Sequence, residues 1–303
     1  MALTFTTFDV FTSTPFRGNP LAIVEIPTGT ELSQDQKQLI AREFNLSETV
    51  FLHEQTPADV QKQTVRIDIF TALSEVAFAG HPTIGTANFL LFHRHASDAR
   101  FLATKAGLVQ FTTHEAGAEL LVAHDVHVHD SPFAGTAFAQ HPVVSIVNGM
   151  TAILARLPDL EALGRQTANL VGTENTYAAK EALDLGWRNG PVVSYFYVDL
   201  GGGGADGTRR LRARSMGSRE DPATGSAASG LCSYLSLAEE GPRERAYEIT
   251  QGVEVGRRGV IRVKVTLSED GKTVQEVRLA GDAVKVLEGA VPVPGRGVTV
   301  AEE

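Results

Sequence analysis

Residues 81–87 read His-Pro-Thr-Ile-Gly-Thr-Ala, and residues 221–227 read Asp-Pro-Ala-Thr-Gly-Ser-Ala. The two heptads lie 140 residues apart, close to half of the 303-residue chain, and each runs into an apolar stretch. Two weaker echoes accompany them. Asn19-Pro20-Leu21-Ala22-Ile23-Val24 resembles residues 141–147, and a helical stretch ending in Asn45-Leu46 resembles one ending in Asn169-Leu170. Three echoes in the same order imply an old duplication, so each half has to build its own core on the same plan.

The periodicity agrees. Runs rich in Phe, Thr, Ile and Val at 4–11, 20–26, 49–53, 64–70, 100–104, 107–113 and 118–123 predict strands in the first half. Residues 143–148, 192–198, 210–214, 246–251, 260–267, 274–280 and 283–287 do so in the second. Amphipathic helices are expected from Ser33 to Phe44, with Ser33 as N-cap and Leu39, Ile40 and Phe44 on one side, and near 158–169. The segments 83–92 and 223–238 carry almost no charge, so each should be a central helix wrapped by sheet. The fold class is therefore α+β, with two pseudo-symmetric lobes expected at 1–130 and 131–303 and the last strand free to return to the first.

Composition removes whole classes of function. Net charge is −9 with a pI near 5.5 and no cluster of Lys and Arg, which excludes an electrostatic nucleic-acid surface. The single Cys232 excludes an internal disulfide or a Cys-rich zinc site, and its place in an apolar helix reads as a small core residue. No signal peptide and no apolar stretch of membrane-spanning length is present, so a cytoplasmic protein is expected. The loop Gly201–Gly207 lacks the helix start and the Lys-Ser/Thr pair of a phosphate cradle.

The two heptads each open a helix at a Pro preceded by a polar residue, so Asp221 reads as an N-cap and His81 as its poorer counterpart. Around them Ala79, Gly80, Gly225, Ser226 and Ala227 leave the backbone N–H groups accessible, and a helix dipole there favours a small carboxylate. Two such openings facing each other across a cleft would grip one anion. Glu48 enters an apolar strand, where burial favours the protonated carboxyl and suits proton transfer. Taken alone it reads more readily as a helix-end or salt-bridging carboxylate.

Five blocks in order resemble the phenazine biosynthesis-like (PhzF) family. They are Phe8 to Phe11 with Phe16-Arg17-Gly18-Asn19-Pro20, Asn45 to Thr49, Ala79 to Ala87, Glu220 to Ala227, and Gln251-Gly252 with Gly256-Arg257. The resemblance spans nearly the whole chain. It implies the diaminopimelate epimerase-like fold, a homodimer, and an isomerase that uses no metal or organic cofactor. It further implies Glu48 as the proton-transfer group assisted by His81 and Asp221, with Asn19, Gly80, Gly225 and Ser226 binding a small carboxylate or amino-acid-like substrate. The positions that carry two thiols in the epimerase relatives fall near Ala79 and Pro222, which excludes two-thiol racemisation.

Two departures from the family pattern stand out. Arg214-Ser215-Met216 runs straight into Gly217 without the usual intervening residues, and Thr71 is not followed by Pro. The sequence also leaves room for an inactive binding or interaction protein on the same fold, or for a metal-dependent enzyme using His127 and His129, which alternate onto one face of a strand.

Overall fold

The computed structural model describes residues 1–94, 98–115, 117–202 and 207–295. The chain divides into two compact units, Met1–Leu120 with the chain from Ala280 onward, and Leu121–Leu279. This division falls ten residues before the boundary expected at residue 130. Strand Ala283–Pro292 pairs antiparallel with Ala2–Val10 in the first unit, the return that the sequence left open.

In the first unit Ala2–Val10 pairs antiparallel with Asn19–Ile26, which runs parallel to Glu48–His53. Glu48–His53 pairs antiparallel with Thr64–Phe70, which turns back into the two-residue strand Glu75–Val76. Thr64–Phe70 also runs parallel to Phe101–Thr104, which continues antiparallel into Gly107–His114. The second unit repeats every one of these steps. Val143–Val147 and Met150–Arg156 are antiparallel, and Met150–Arg156 and Val192–Gly202 are parallel. Val192–Gly202 and Arg209–Met216 are antiparallel, and Arg209–Met216 turns back into Glu220–Asp221. Arg209–Met216 runs parallel to Glu244–Gln251, which is antiparallel to Gly259–Leu267. Both units are mixed α+β folds of the expected kind.

Each sheet encloses an apolar helix. All nine residues of Gly80–Asn88 are buried, and a π-helical turn, Phe89–His93, carries the helix on. Gly225–Ala238 is buried along most of its length. The strands around them present one face to these helices; Gly259–Leu267 alternates buried and half-buried residues from end to end. Among the described residues, no helix is long and apolar enough to cross a membrane. Of the glycine-rich loop, residues 203–206 lie outside the described residues.

Several local expectations need revision. The strand Met150–Arg156 and the helix Pro57–Lys62 are absent from the sequence reading, and the helix expected near 158–169 is reduced to Leu160–Gly164. Matching Asn19–Val24 with 141–147 aligns the second strand of one unit with the first strand of the other, so that echo is out of place. The Asn45 and Asn169 echo is in place, each following a helix and preceding the third strand.

Helix Gln34–Phe44 has the expected Ser33 N-cap, with Gln36 completing a capping box. Its buried face is more polar than its periodicity suggests. Ile40 and Ala41 are buried, but so are Gln36, Lys37 and Gln38. Lys37 Nζ reaches Asp68 Oδ2 at 2.6 Å, and Gln38 donates to the Thr71 carbonyl. Asp68 Oδ2 also lies 2.8 Å from His53 Nε2. Burial alone would raise the Asp68 carboxyl, yet the hydrogen bonds from His53 and Lys37 outweigh it and hold the group well below the usual carboxylate range.

A carboxyl depressed on folding contributes stability that is complete above its unfolded pKa of about 4 and is lost as pH falls below it. Asp68→Asn is therefore expected to be less stable than wild type at pH 7 by about 2 kcal/mol. In urea titrations the two should converge as pH drops from about 4 toward 2. A gap that stays constant over that range would show that Asp68 titrates as it does in the unfolded chain.

Candidate active site

Glu48 is the first residue of its strand, opposite Leu21 in the parallel register, and its side chain is 18% exposed. The chain entering it is fixed by Ser47, whose hydroxyl donates to Asn19 Oδ1 at 3.0 Å. Asn19 is fully buried and begins the neighbouring strand. The loop before it is tightly constrained. Phe11, Phe16 and Gly18 all have positive φ, and the Phe16 N–H donates to Asp9 Oδ2. A Cβ at residue 18 would lie 2.1 Å from the Val10 carbonyl oxygen, so only glycine fits this turn.

His81 is 3% exposed and sits in the first turn of the first central helix. Its Nδ1 lies 3.1 Å from Glu48 Oε2, an ion-pair distance without the alignment of a hydrogen bond. Glu48 Oε2 is itself shielded from solvent and takes no hydrogen bond from the protein. Buried polar atoms are nearly always hydrogen-bonded, and a catalytic role is one of the few reasons for an exception. The sequence-assigned Glu48, His81, Asn19 and Gly80 thus converge in the first unit.

The helix starts differ from expectation. The first helix begins at Gly80 with Ala79 as N-cap, so His81 lies inside the helix rather than before it. The second begins at Gly225 with Thr224 as N-cap, so Asp221 precedes it by one turn and Pro222 lies outside. Neither N-cap side chain bonds a backbone N–H of its helix. Counting from the helix starts pairs His81 with Ser226, each the second residue of its helix, and leaves the two Pro residues unmatched. Both N-cap assignments are corrected. The sequence match slid because helix entry is decided by where the preceding short strand pairs.

In the second unit the Asp221 carboxylate accepts a hydrogen bond from Thr224 Oγ1 at 2.6 Å. Gly225 is buried, and Ser226 is half-buried beside it. Two residues without a predicted role hold this arrangement. Gln251 is fully buried; its amide nitrogen donates to the Asp221 carbonyl and to Thr224 Oγ1. Its Oε1 accepts from the Thr224 N–H and from Tyr195 OH. Burial pushes the Tyr195 hydroxyl well above its ordinary value, so it remains a donor. Gly252 follows with φ +75°, and a Cβ there would stand 2.6 Å from the Pro222 carbonyl oxygen. Arg214 is the second such residue. It grips Glu220 through two parallel hydrogen bonds of 2.9 and 2.7 Å and donates to the Leu163 and Gly164 carbonyls at a helix end. Gln251 is visible in the sequence only as part of a motif, since its partners lie 27 to 56 residues away.

The shortened segment before Gly217 forms a tight hairpin, with the Gly217 N–H on the Arg219 carbonyl. The Thr71 turn in the first unit does the same with its hydroxyl bonded to Leu73 and Ser74. Cys232 is fully buried within the second helix, and burial raises its thiol well above the ordinary value, leaving it inert.

The model of the phenazine biosynthesis-like protein family matches residues 8–289. The chain belongs to that family. An uncharacterized isomerase of Mesorhizobium japonicum is 32% identical over 93% of this chain and 96% of its own. The trans-2,3-dihydro-3-hydroxyanthranilate isomerase of Pseudomonas aeruginosa is 30% identical over 94% and 98%. Among solved structures, a PhzF-family protein of Bacillus anthracis matches with a TM-score of 0.73 over 97% of this chain and 100% of its own, at 23% identity. A predicted epimerase of Pseudomonas aeruginosa and a probable proline racemase of Agrobacterium radiobacter share the fold at 24% and 14% identity. As a PhzF-family chain with relatives of this kind along its whole length, the protein is an enzyme of the isomerase class.

Proposed function

We propose that this PhzF-family protein moves a proton between two carbons of a small cyclic carboxylate, with Glu48 as the shuttle. What carries the reading is the Glu48 carboxylate oxygen, shielded, without a hydrogen bond from the protein, and 3.1 Å from His81 Nδ1. A carboxylate held this way takes a proton from a ring carbon that is acidified by conjugation. The electron pair left behind delocalises through the adjacent double bond, and the same carboxyl returns the proton to the far carbon. Donor and acceptor lie on one face of the ring, so a single group suffices and no cofactor is required. His81 supports the charge on Glu48 and orients a substrate hydroxyl or carboxylate.

Backbone N–H groups at the uncapped helix start around Gly80 bind the substrate carboxylate, aided by the helix dipole. Asn19 holds Ser47 and hence Glu48 in register, while for Asp221, Gly225 and Ser226 of the second unit a substrate-binding role rests on the family resemblance alone. The substrate class is a cyclohexadiene hydroxy-amino acid, of which the compound named for the Pseudomonas aeruginosa relative is the natural first choice. The tight hairpin at Gly217 favours an analogue that differs from it at the ring periphery.

Proton NMR in D₂O tests the reading directly. With trans-2,3-dihydro-3-hydroxyanthranilate and a panel of ring-substituted analogues, at least one compound should lose the signal of the donor carbon. It should gain one, partly deuterated, at the acceptor carbon. No conversion of any member of the class would overturn the proposal.

A further inference from the structure

Between Asn45 and strand Glu48–His53 the first unit has almost no chain, whereas the second unit inserts residues 170–191 between Asn169 and strand Val192–Gly202. This insertion brings a turn, with the Trp187 N–H on the Asp184 carbonyl, against the short strand His127–Val128. Three side chains meet there. His127 Nε2 lies 2.7 Å from Asp184 Oδ2, and His129 Nδ1 lies 3.5 Å from the same oxygen. One ligand atom from each falls within 4.8 Å of the others, and among the described residues no second group of three His, Cys, Asp or Glu converges this way.

We propose that His127, His129 and Asp184 bind a divalent transition-metal ion, with zinc the best match. Two imidazoles and one carboxylate suit zinc, cobalt or nickel rather than calcium or magnesium, which prefer all-oxygen ligands. Ligands on one tetrahedral zinc, at about 2.0–2.1 Å each, stand about 3.3 Å apart, so atoms now 2.7 and 3.5 Å apart, all within 4.8 Å of one another, reach that geometry through side-chain shifts on the order of 1 Å. The ion would replace the proton that His127 now shares with Asp184.

The surroundings are those of a ligand set held in place. The Asp184 backbone N–H donates to His129 Nδ1 at 3.4 Å, which makes Nδ1 the nitrogen with the lone pair, and a metal ion there would take that pair in place of the long N–H bond. The opposite nitrogen, Nε2, faces Ser145 Oγ at 2.9 Å, and that hydroxyl is bonded to Thr151 at 2.6 Å. Such an outer partner on a ligating imidazole fixes its tautomer and orientation. His127 is held by stacking on Trp187, with ring centroids 4.6 Å apart and planes 8° from parallel. Asp184 accepts a further bond from the Asp130 N–H. His129 is buried, while His127 and Asp184 are each about one-third exposed, which leaves a solvent-facing position for a fourth ligand. The bound ion would pin the inserted segment to the sheet; proton transfer at Glu48 takes no part in it.

Trp187 is the sole tryptophan of the chain and stacks directly on a ligand, so it reports binding. Tag-free protein stripped with EDTA and titrated with Zn²⁺ should show a saturable change in tryptophan fluorescence at one equivalent. Co²⁺ should quench the same emission and give visible absorption bands of low-coordinate cobalt. His127→Gln, which keeps a donor toward Asp184, and Asp184→Asn should each weaken binding by about 100-fold or more, and Ser145→Ala by about tenfold. The proposal is overturned by titrations without saturation up to millimolar metal. It is equally overturned by affinity that survives in both ligand variants. Either result leaves the isomerase reading untouched, since its test is substrate conversion.

Discussion

Glu48→Gln is expected to lower kcat by about 10²–10⁴-fold, the usual share of a positioned proton-transfer group. Glutamine keeps the size of the side chain and its place at the start of the strand but cannot carry a proton between carbons. KM should therefore change little, and the melting temperature should stay close to wild type, because the carboxylate oxygen facing His81 receives no hydrogen bond to lose. The measurement is steady-state turnover of the substrate found by NMR, with residual deuterium incorporation as a second readout. Turnover within a few-fold of wild type would remove Glu48 from the role of shuttle and leave the isomerase class in need of another base.

Glu220→Ala is expected to have the largest effect on stability, about 3–5 kcal/mol. Its partner Arg214 is 7% exposed on its side chain, and Glu220 neutralises it through a bidentate pair. That hydrogen bonding raises the Arg214 pKa further, so the guanidinium cannot escape by losing its proton. Removing the carboxylate strands a buried positive charge whose other partners are two carbonyls at the end of helix Leu160–Gly164. Urea unfolding of the single variants and of the pair Arg214→Met with Glu220→Leu would separate charge from packing. The double variant should recover most of the loss, since apolar replacement of a buried pair is often close to neutral. If Glu220→Ala costs less than about 1 kcal/mol, the pair is solvated and does not hold the Asp221 strand.

Much of the architecture was legible in the sequence because duplication and burial leave local traces. The charge-free runs after Pro82 and Pro222 could only be helices enclosed by sheet, and both are. Alternating apolar strands marked most of the sheet, and Ser33 announced its own cap. Met150–Arg156 escaped because, once buried on both faces, its strand carries no alternation to read. The polar face of helix Gln34–Phe44 escaped for a related reason: Lys37 is acceptable in a core only because Asp68, far along the chain, is there to meet it.

The sequence alone determined that the chain is two copies of one α+β unit, and that its single thiol, Cys232, lies within an apolar helix. These follow from residue types and their order, which no folding event changes. Tertiary structure alone decided which residue begins each central helix, because that depends on the pairing of Glu75–Val76 and Glu220–Asp221 with strands already in place. It also decided that His81 stands at Glu48 and that Asp184 stands at His127, contacts between segments 33 and 57 positions apart. Such meetings are fixed by how sheets close around helices, and a linear pattern carries no record of them.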